Sequence, residues 1–329
     1  METFKSFAQS LEKINEGNFE DIALRLFHFQ SVNNPVYKRY LECLDCDTAS
    51  VSSLGQIPFL PISFFKSQLI KSGEWQACAE FSSSGTTGSI SSRHQVYDLD
   101  FYRSHSETIF KHFFGDPDSF HFLALLPSYL EREGSSLIEM INYFIIRSKS
   151  EYSGFYLRNH TELIEKLNNL KTDSRTVILW GVSFALLDLA EAFELDLSNC
   201  IIIETGGMKG RRREWIREEL HAYLTSRFHV KVIHSEYGMT ELMSQAYSMG
   251  SGYYQCPAAM KVIVRNINDP FETLPTGKTG GINIIDLANF HSCAFIETQD
   301  LGYVNHEGYF EVLGRMDNSD VRGCNLLVG

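Results

Sequence analysis

The stretch Cys200-Ile201-Ile202-Ile203-Glu204-Thr205-Gly206-Gly207-Met208 decides the fold class. It is an apolar run of strand length that ends on two glycines, the form of a strand passing into a tight turn. On its upstream side, 183–195 carries a helical pattern and 176–180 another buried strand. Downstream, 211–227 reads as a helix and 230–234 as a strand. Further out, 100–114, 135–147 and 161–170 are helix patterns, and 120–126 is an apolar run of strand length. Strands alternating with helices predict an α/β fold, with mostly parallel sheets flanked by helices.

Towards the N-terminus, residues 1–75 look mainly helical, with a turn-rich connection at 50–61. Residues 78–81 and 94–97 read as strands joined by Ser82-Ser83-Ser84-Gly85-Thr86-Thr87-Gly88-Ser89. After about 253 the texture changes. Short strand candidates at 261–265, 281–286, 294–297 and 309–313 are separated by turn signals such as Pro275-Thr276-Gly277 and His306-Glu307-Gly308. The expected organisation is an α/β core over 1–252, a smaller β-rich subdomain of that core over 253–316, and a hinge-like tail over 317–329.

Composition narrows the function. The chain has 329 residues, 43% hydrophobic and 21% charged, an ordinary globular balance with ample length for a buried core. Its 29 Lys and Arg against 41 Asp and Glu give a net charge of −12, which argues against a broad nucleic-acid surface. A small anion in a locally basic site stays open. No apolar run reaches the ~18–20 residues of a membrane helix. Phe4, Phe7, Leu11 and Ile14 recur at helical spacing among polar residues, which predicts an amphipathic helix of the fold rather than a signal peptide. The seven cysteines are odd in number and mostly scattered. Reduced thiols in a cytoplasmic protein are the expectation.

Five segments carry possible chemistry. Residues 82–89 are small and rich in hydroxyls, suited to presenting N–H and O–H donors to an anion; the plain alternative is a surface loop. A Walker loop needs Gly-Lys-Ser/Thr opening a helix, and no lysine follows Gly88 here. Gly206 and Gly207 follow a central strand, where ligands sit in open α/β sheets and where glycine lets a flat ring approach the backbone; a tight turn alone would use them too. Tyr237-Gly238-Met239-Thr240-Glu241 offers an aromatic face, a hydroxyl and a carboxylate. A carboxylate near a phosphate site implies a bridging Mg²⁺, and the plain alternative is a helix start. Asp300-Leu301-Gly302-Tyr303 and Gly314-Arg315-Met316-Asp317-Asn318 each read alone as polar turns.

In this order, the five segments resemble the adenylate-forming superfamily of acyl-CoA synthetases, luciferases and peptide-synthetase adenylation domains. The run from Tyr237 to Ser248, the pair Cys256-Pro257, and Arg315-Met316-Asp317-Asn318-Ser319-Asp320 look more closely like the bacterial acyl-protein synthetases of LuxE type. The resemblance implies attack of a carboxylate on the α-phosphate of ATP, giving an acyl-adenylate and pyrophosphate. It implies that Ser84, Thr86 and Thr87 with the backbones of Gly85 and Gly88 hold the pyrophosphate side. Gly206 and Gly207 would line the adenine, with Tyr237 on its other face. Thr240 would contact the α-phosphate, Glu241 would hold Mg²⁺, and Asp300 and Arg315 would hold the ribose. It further implies a fatty or other carboxylic acid as substrate, transfer of the acyl group to a cysteine near the C-terminus, here Cys324, and a reductase partner.

Two departures stand out. The phosphate loop lacks the lysine that many superfamily members carry, leaving Arg93 and His94 as the nearest cationic candidates. The chain stops fifteen residues after Gly314, so the lid domain with its adenylation lysine is expected to be absent. Cys43 and Cys46 form a single Cys-x-x-Cys, short of the four ligands of a structural zinc site. His234 is expected at a strand end facing the acyl pocket, as a core or supporting histidine before a base. The rival readings are an acyl- or aryl-CoA ligase of phenylacetate type and a non-catalytic adenylate-binding subunit.

Overall fold

The computed structural model describes residues 2–83, 90–126, 134–157, 159–206 and 215–316. Three helices open the chain: α1 (Phe4–Leu11), α2 (Phe19–Asn33) and α3 (Pro35–Cys43). Side-chain caps fix the starts of α1 and α3. The Thr3 and Ser6 side chains each accept from the other's backbone N–H in a capping box. Asn34 caps α3 by accepting from the Tyr37 N–H, and Pro35 takes the first turn, where its missing N–H costs nothing. The short β1 (Leu60–Pro61) and α4 (Phe64–Ser67) follow, then an antiparallel hairpin of β2 (Ala79–Ser82) and β3 (Arg93–Val96). That hairpin frames the hydroxyl-rich loop as the sequence predicts.

The alternating region is β4 (Phe120–Leu125), β5 (Gly154–Phe155), β6 (Thr176–Val182), β7 (Cys200–Thr205) and β8 (His234–Tyr237), with α5 (Leu99–Phe114), α6 (Ser136–Ser148), α7 (His160–Asn169), α8 (Ser183–Ala192) and α9 (Arg217–Phe228) around it. Every ladder from β5 to β8 is parallel. The remaining strands are β9 (Ala246–Ser248), β10 (Tyr254–Gln255), β11 (Met260–Arg265), β12 (Gly280–Asp286), β13 (Phe295–Val304) and β14 (Phe310–Arg315). They extend the same sheet antiparallel, in the order β11-β12-β13-β14-β10-β9-β8-β7-β6-β4-β5, with β1 pairing parallel to β13 in a 12-stranded sheet.

Two cores cover this sheet. Phe110, Phe122, Phe144 and Trp180 centre the one between the parallel strands and α5–α9. The opening helices build the other: Phe27 and Tyr37 pack on Phe295 of β13 with ring centroids 6.0 and 6.2 Å away. Gln30 pins that packing, donating to the carbonyls of Asn289 and Ser292 and accepting from the Ala294 N–H.

Three elements differ from the sequence expectation. The strand expected at 230–234 runs from His234 to Tyr237, because its ladder to β7 begins at Ile203 opposite His234. The helix expected from 211 starts at Arg217, with Glu218 and Glu219 in its first turn where the dipole favours them; 207–214 lie outside the described residues. The third strand of the C-terminal segment continues through Asp300 to Val304, so Asp300 is a ladder residue and not a turn former. It faces Arg315 directly across β13 and β14, an opposite-charge pair that favours this register.

Candidate functional site

The carboxyl ends of β7 and β8 open on a cleft of about 450 Å³. Thr205 and Gly206 line it at the end of β7 and just beyond, and Glu236 with 238–241 line it at and beyond β8. Ser83 and Ser92 reach it from the two sides of the hairpin, Gln299 and Arg315 from β13 and β14. Lys66 and Ile62 close one side, and Tyr102, Ser136, Leu137 and Met140 close another. Two glycines are required locally. Gly206 has φ +70°, a left-handed conformation that L side chains rarely adopt. Gly238 leaves room for Glu236, since a Cβ there would stand 2.4 Å from its Oε1.

Of the expected site residues, Gly206, Thr240, Glu241 and Arg315 line this one cleft. Tyr237 and Asp300 stand directly behind it. The Tyr237 hydroxyl donates to Asp300 Oδ2 at 2.7 Å, and Arg315 Nε lies 3.3 Å from Asp300 Oδ1. The Tyr237 ring packs against Tyr254 and Phe310. Burial raises the Asp300 carboxyl above its ordinary range, against the pull of Tyr237 and Arg315. Ser84, Gly85, Thr86, Thr87, Gly88, Gly207 and Cys324 lie outside the described residues.

Glu241 is 5% exposed, and its carboxyl is raised by desolvation, eased by a hydrogen bond from Ser92. A buried carboxylate that is costly to ionise fits a cation brought in with a ligand. Among the described residues no group of three or more acidic, histidine or cysteine side chains forms a metal cage. One carboxylate plus phosphate oxygens is the way Mg²⁺ is commonly held, so the residues fit that ion.

The backbone around Thr240 and Glu241 is held from behind. His94 Nδ1 lies 2.9 Å from the Thr240 carbonyl, and Asn289 Nδ2 donates to the Glu241 carbonyl at 2.7 Å. Asp286 accepts from the N–H groups of Met243 and Ser244 at 2.8 and 3.0 Å, and from the Ser244 hydroxyl at 2.7 Å. His105 Nε2 meets that hydroxyl at 2.9 Å. Burial lowers both histidines to about 4, so each is neutral near pH 7. The expectation that His94 supplies charge is therefore corrected: it is a buried neutral hydrogen-bonding group. Arg93 is exposed and does not line the cleft. His234 opens β8 instead of ending it, packs on Phe114 at 5.5 Å, and is likewise outside the lining.

Three of the lining residues that sequence reading missed bear on the chemistry. Lys66 sits in the last turn of α4, and with Arg315 it supplies the cationic side chains among the described lining residues. No motif marks it; its signal is the register of α4, whose Phe65 is fully buried and stacks edge-on to His94 at 5.7 Å. Glu236 looks like one more strand residue, yet it is buried at the cleft wall and accepts from Thr205 Oγ1. Desolvation, with the Glu204 charge on the next strand, raises its carboxyl to about 7. Gln245, four residues beyond Glu241, is 3% exposed and lines the same cleft.

The sequence profile described as acyl-protein synthetase, LuxE, matches residues 5–329, and the chain belongs to that family. Among solved structures, an open conformation of 2-hydroxyisobutyryl-CoA ligase in complex with 2-HIB-AMP and CoA superimposes with a TM-score of 0.69 at 11% identity, covering 92% of this chain and 70% of that one. ATP-bound MatB from Rhodopseudomonas palustris matches with a TM-score of 0.53 at 15% identity, covering 74% of this chain. The chain spans about half the length of that structure, 49%. These likenesses establish a shared fold. No curated protein matches the chain.

Proposed function

Taking that family membership as premise, we propose that the chain activates a carboxylic acid with ATP. A carboxylate oxygen of the acid attacks the α-phosphorus, the bond from that phosphorus to the β-bridging oxygen breaks, and pyrophosphate leaves with the electron pair. One observation carries the reading. Segments that are each unremarkable in sequence converge on a single cleft at the carboxyl ends of parallel strands: Ser83, Ile90 and Ser92, then Thr205 and Gly206, then 238–241, then Arg315. Such a transfer asks for alignment and charge neutralisation more than for covalent chemistry.

The chain's own residues divide that work. Lys66 and Arg315 offset phosphate charge, and the Thr240 hydroxyl donates at the α-phosphate. Asp300, held by Tyr237 and Arg315, receives the ribose hydroxyls. Gly206 leaves space for the adenine. Glu241 would hold Mg²⁺, which when bound supplies charge neutralisation on the phosphate oxygens.

In the second half-reaction we place transfer to a protein thiol. The thiolate of Cys324 attacks the acyl carbonyl carbon, a thioester forms, and AMP leaves. A fatty acid as donor, a reductase as the consumer of the thioester, and a cytoplasmic setting are proposed on the family resemblance. No described helix is long and apolar enough to cross a membrane.

Carboxylate-dependent ATP–pyrophosphate exchange with Mg²⁺ tests the first half-reaction. Exchange with an acid of the panel, lost by on the order of 10²-fold or more in Glu241→Ala, is the expected result. Exchange that persists undiminished in Glu241→Ala would refute the assignment of the cleft.

A further inference from the structure

The cleft carries acceptors that the adenylation chemistry does not use. Glu236 and Gln245 line it at 6% and 3% exposure. Gln245 Nε2 donates to the Met243 carbonyl at 3.4 Å, while its Oε1 has no partner among the described residues. Glu236 Oε2 is engaged by Thr205 Oγ1, and its Oε1 lies over Gly238 in the space a Cβ would fill. The Tyr247 hydroxyl, also unpartnered among the described residues, has Glu236 and Tyr102 as its electrostatic neighbours. Buried polar atoms are normally paired, so an orphaned carbonyl beside a buried carboxyl marks a place where a donor is missing.

A bare alkyl chain seated on these atoms would leave them desolvated and unpaired, which costs affinity. Leu137 and Met140 of α6 give the same cleft an apolar side for the carbon skeleton. We propose that the acid taken by this cleft carries a hydrogen-bond donor on its chain, a hydroxyl or an amine, received by Gln245 Oε1 and the Glu236 carboxyl. The inference rests on the adenylation reading and names its substrate class. It departs from an unsubstituted fatty acid, which becomes the reference compound.

The test uses the full chain with matched acids of four, eight and fourteen carbons, each unsubstituted, hydroxylated or aminated at position 2 or 3. Two readouts are taken: equilibrium binding of the acid by calorimetry with a non-hydrolysable ATP analogue and Mg²⁺, and kcat/KM for ATP–pyrophosphate exchange. At the preferred length the donor-bearing acid should exceed its bare counterpart by on the order of 10²-fold or more. Glu236→Leu and Gln245→Leu should bring that ratio towards one while the bare acid gains. An amine donor should lose its advantage in Glu236→Gln, and a hydroxyl donor should keep it, which separates the two sources. A bare acid that equals or beats its substituted partners overturns the proposal, as does a preference that survives both leucine substitutions. Failure of every acid to bind overturns it too. Discriminating binding without exchange would leave it standing and count against the adenylation reading alone.

Discussion

Replacing Glu236 by Gln should make the folded chain more stable at alkaline pH and leave it nearly unchanged at acidic pH. Burial raises this carboxyl from its ordinary 4.5 to about 7. At ~1.4 kcal/mol per pH unit, the folded chain disfavours the ionised form by roughly 3 kcal/mol. The sign follows from proton linkage. A carboxyl whose folded-state pKa is raised contributes stability that is present below about 4.5 and is lost as pH rises through about 7. Gln keeps the length of the side chain and an oxygen to accept from Thr205, and never ionises. The difference between variant and wild type should therefore grow across this window to about 3 kcal/mol in favour of Glu236→Gln, then level off. The tyrosines facing Glu236 leave the window clear. Tyr102, Tyr247 and Tyr254 are all pushed above their ordinary range by burial. Among the described residues the acidic neighbour is Glu204 on β7, which accepts from the Ser183 hydroxyl. Urea denaturation of both chains at pH 5 to 9 gives the difference directly, with the histidines common to both cancelling. A difference that stays flat from pH 5 to 9 would refute the burial argument for Glu236.

Lys66→Met should lower ATP–pyrophosphate exchange by about 10- to 10²-fold, since it removes one of two cations from the described lining; thermal unfolding should be unchanged, and unaltered exchange kinetics would remove Lys66 from the site. His94 is held neutral at about 4, below its ordinary 6.5. Its contribution is therefore complete above 6.5 and lost as pH falls towards 4, so wild type should lose more stability than His94→Gln over that interval, by about 3 kcal/mol. Equal acid sensitivity of the two chains would sink this. Asp286→Ala should cost roughly 3–5 kcal/mol, because the N–H groups of Met243 and Ser244 and the Ser244 hydroxyl lose a buried acceptor. It should depress exchange as well by releasing the backbone beyond Glu241, and a loss under 1 kcal/mol in chemical denaturation would contradict the role given to it.

The centre of the parallel half of the sheet was legible because its strands are buried on both faces. β4 is buried at every position and β6 at all but the first, so each stands out as an apolar run. The β2–β3 hairpin around the hydroxyl-rich loop was legible for a similar local reason. β1, β5, β9 and β10 were not, since two or three residues leave no period to read. Asp300 looked like a turn former because its pairing with Arg315 exists only once β13 and β14 are side by side. Motif order located Thr240, Glu241 and Arg315 in the cleft wall. It gave no hint of Lys66, Glu236 or Gln245, whose importance lies in burial and facing neighbours. Such properties belong to the tertiary structure.

Charge within the cleft argues for two ligand groups of different kinds. Glu236 and Glu241 both line it, both are buried, and desolvation raises both. They are not equivalent. Glu241 takes a hydrogen bond from Ser92 at the root of the hydroxyl-rich loop, on the side where Arg315 and Asp300 also act on it. A cation there would be shared with phosphate oxygens. Glu236 is instead engaged by Thr205, with the orphaned carbonyl of Gln245 in the same wall and the Tyr247 hydroxyl behind it. That group suits a polyphosphate poorly, since phosphate oxygens would face a buried carboxyl and a carbonyl with no cation among the described residues there. The overall charge of −12 is therefore a poor guide to the ligand. On the proposed reading the cations align an anion, and the acceptors left unpartnered among the described residues receive the acid's own donor.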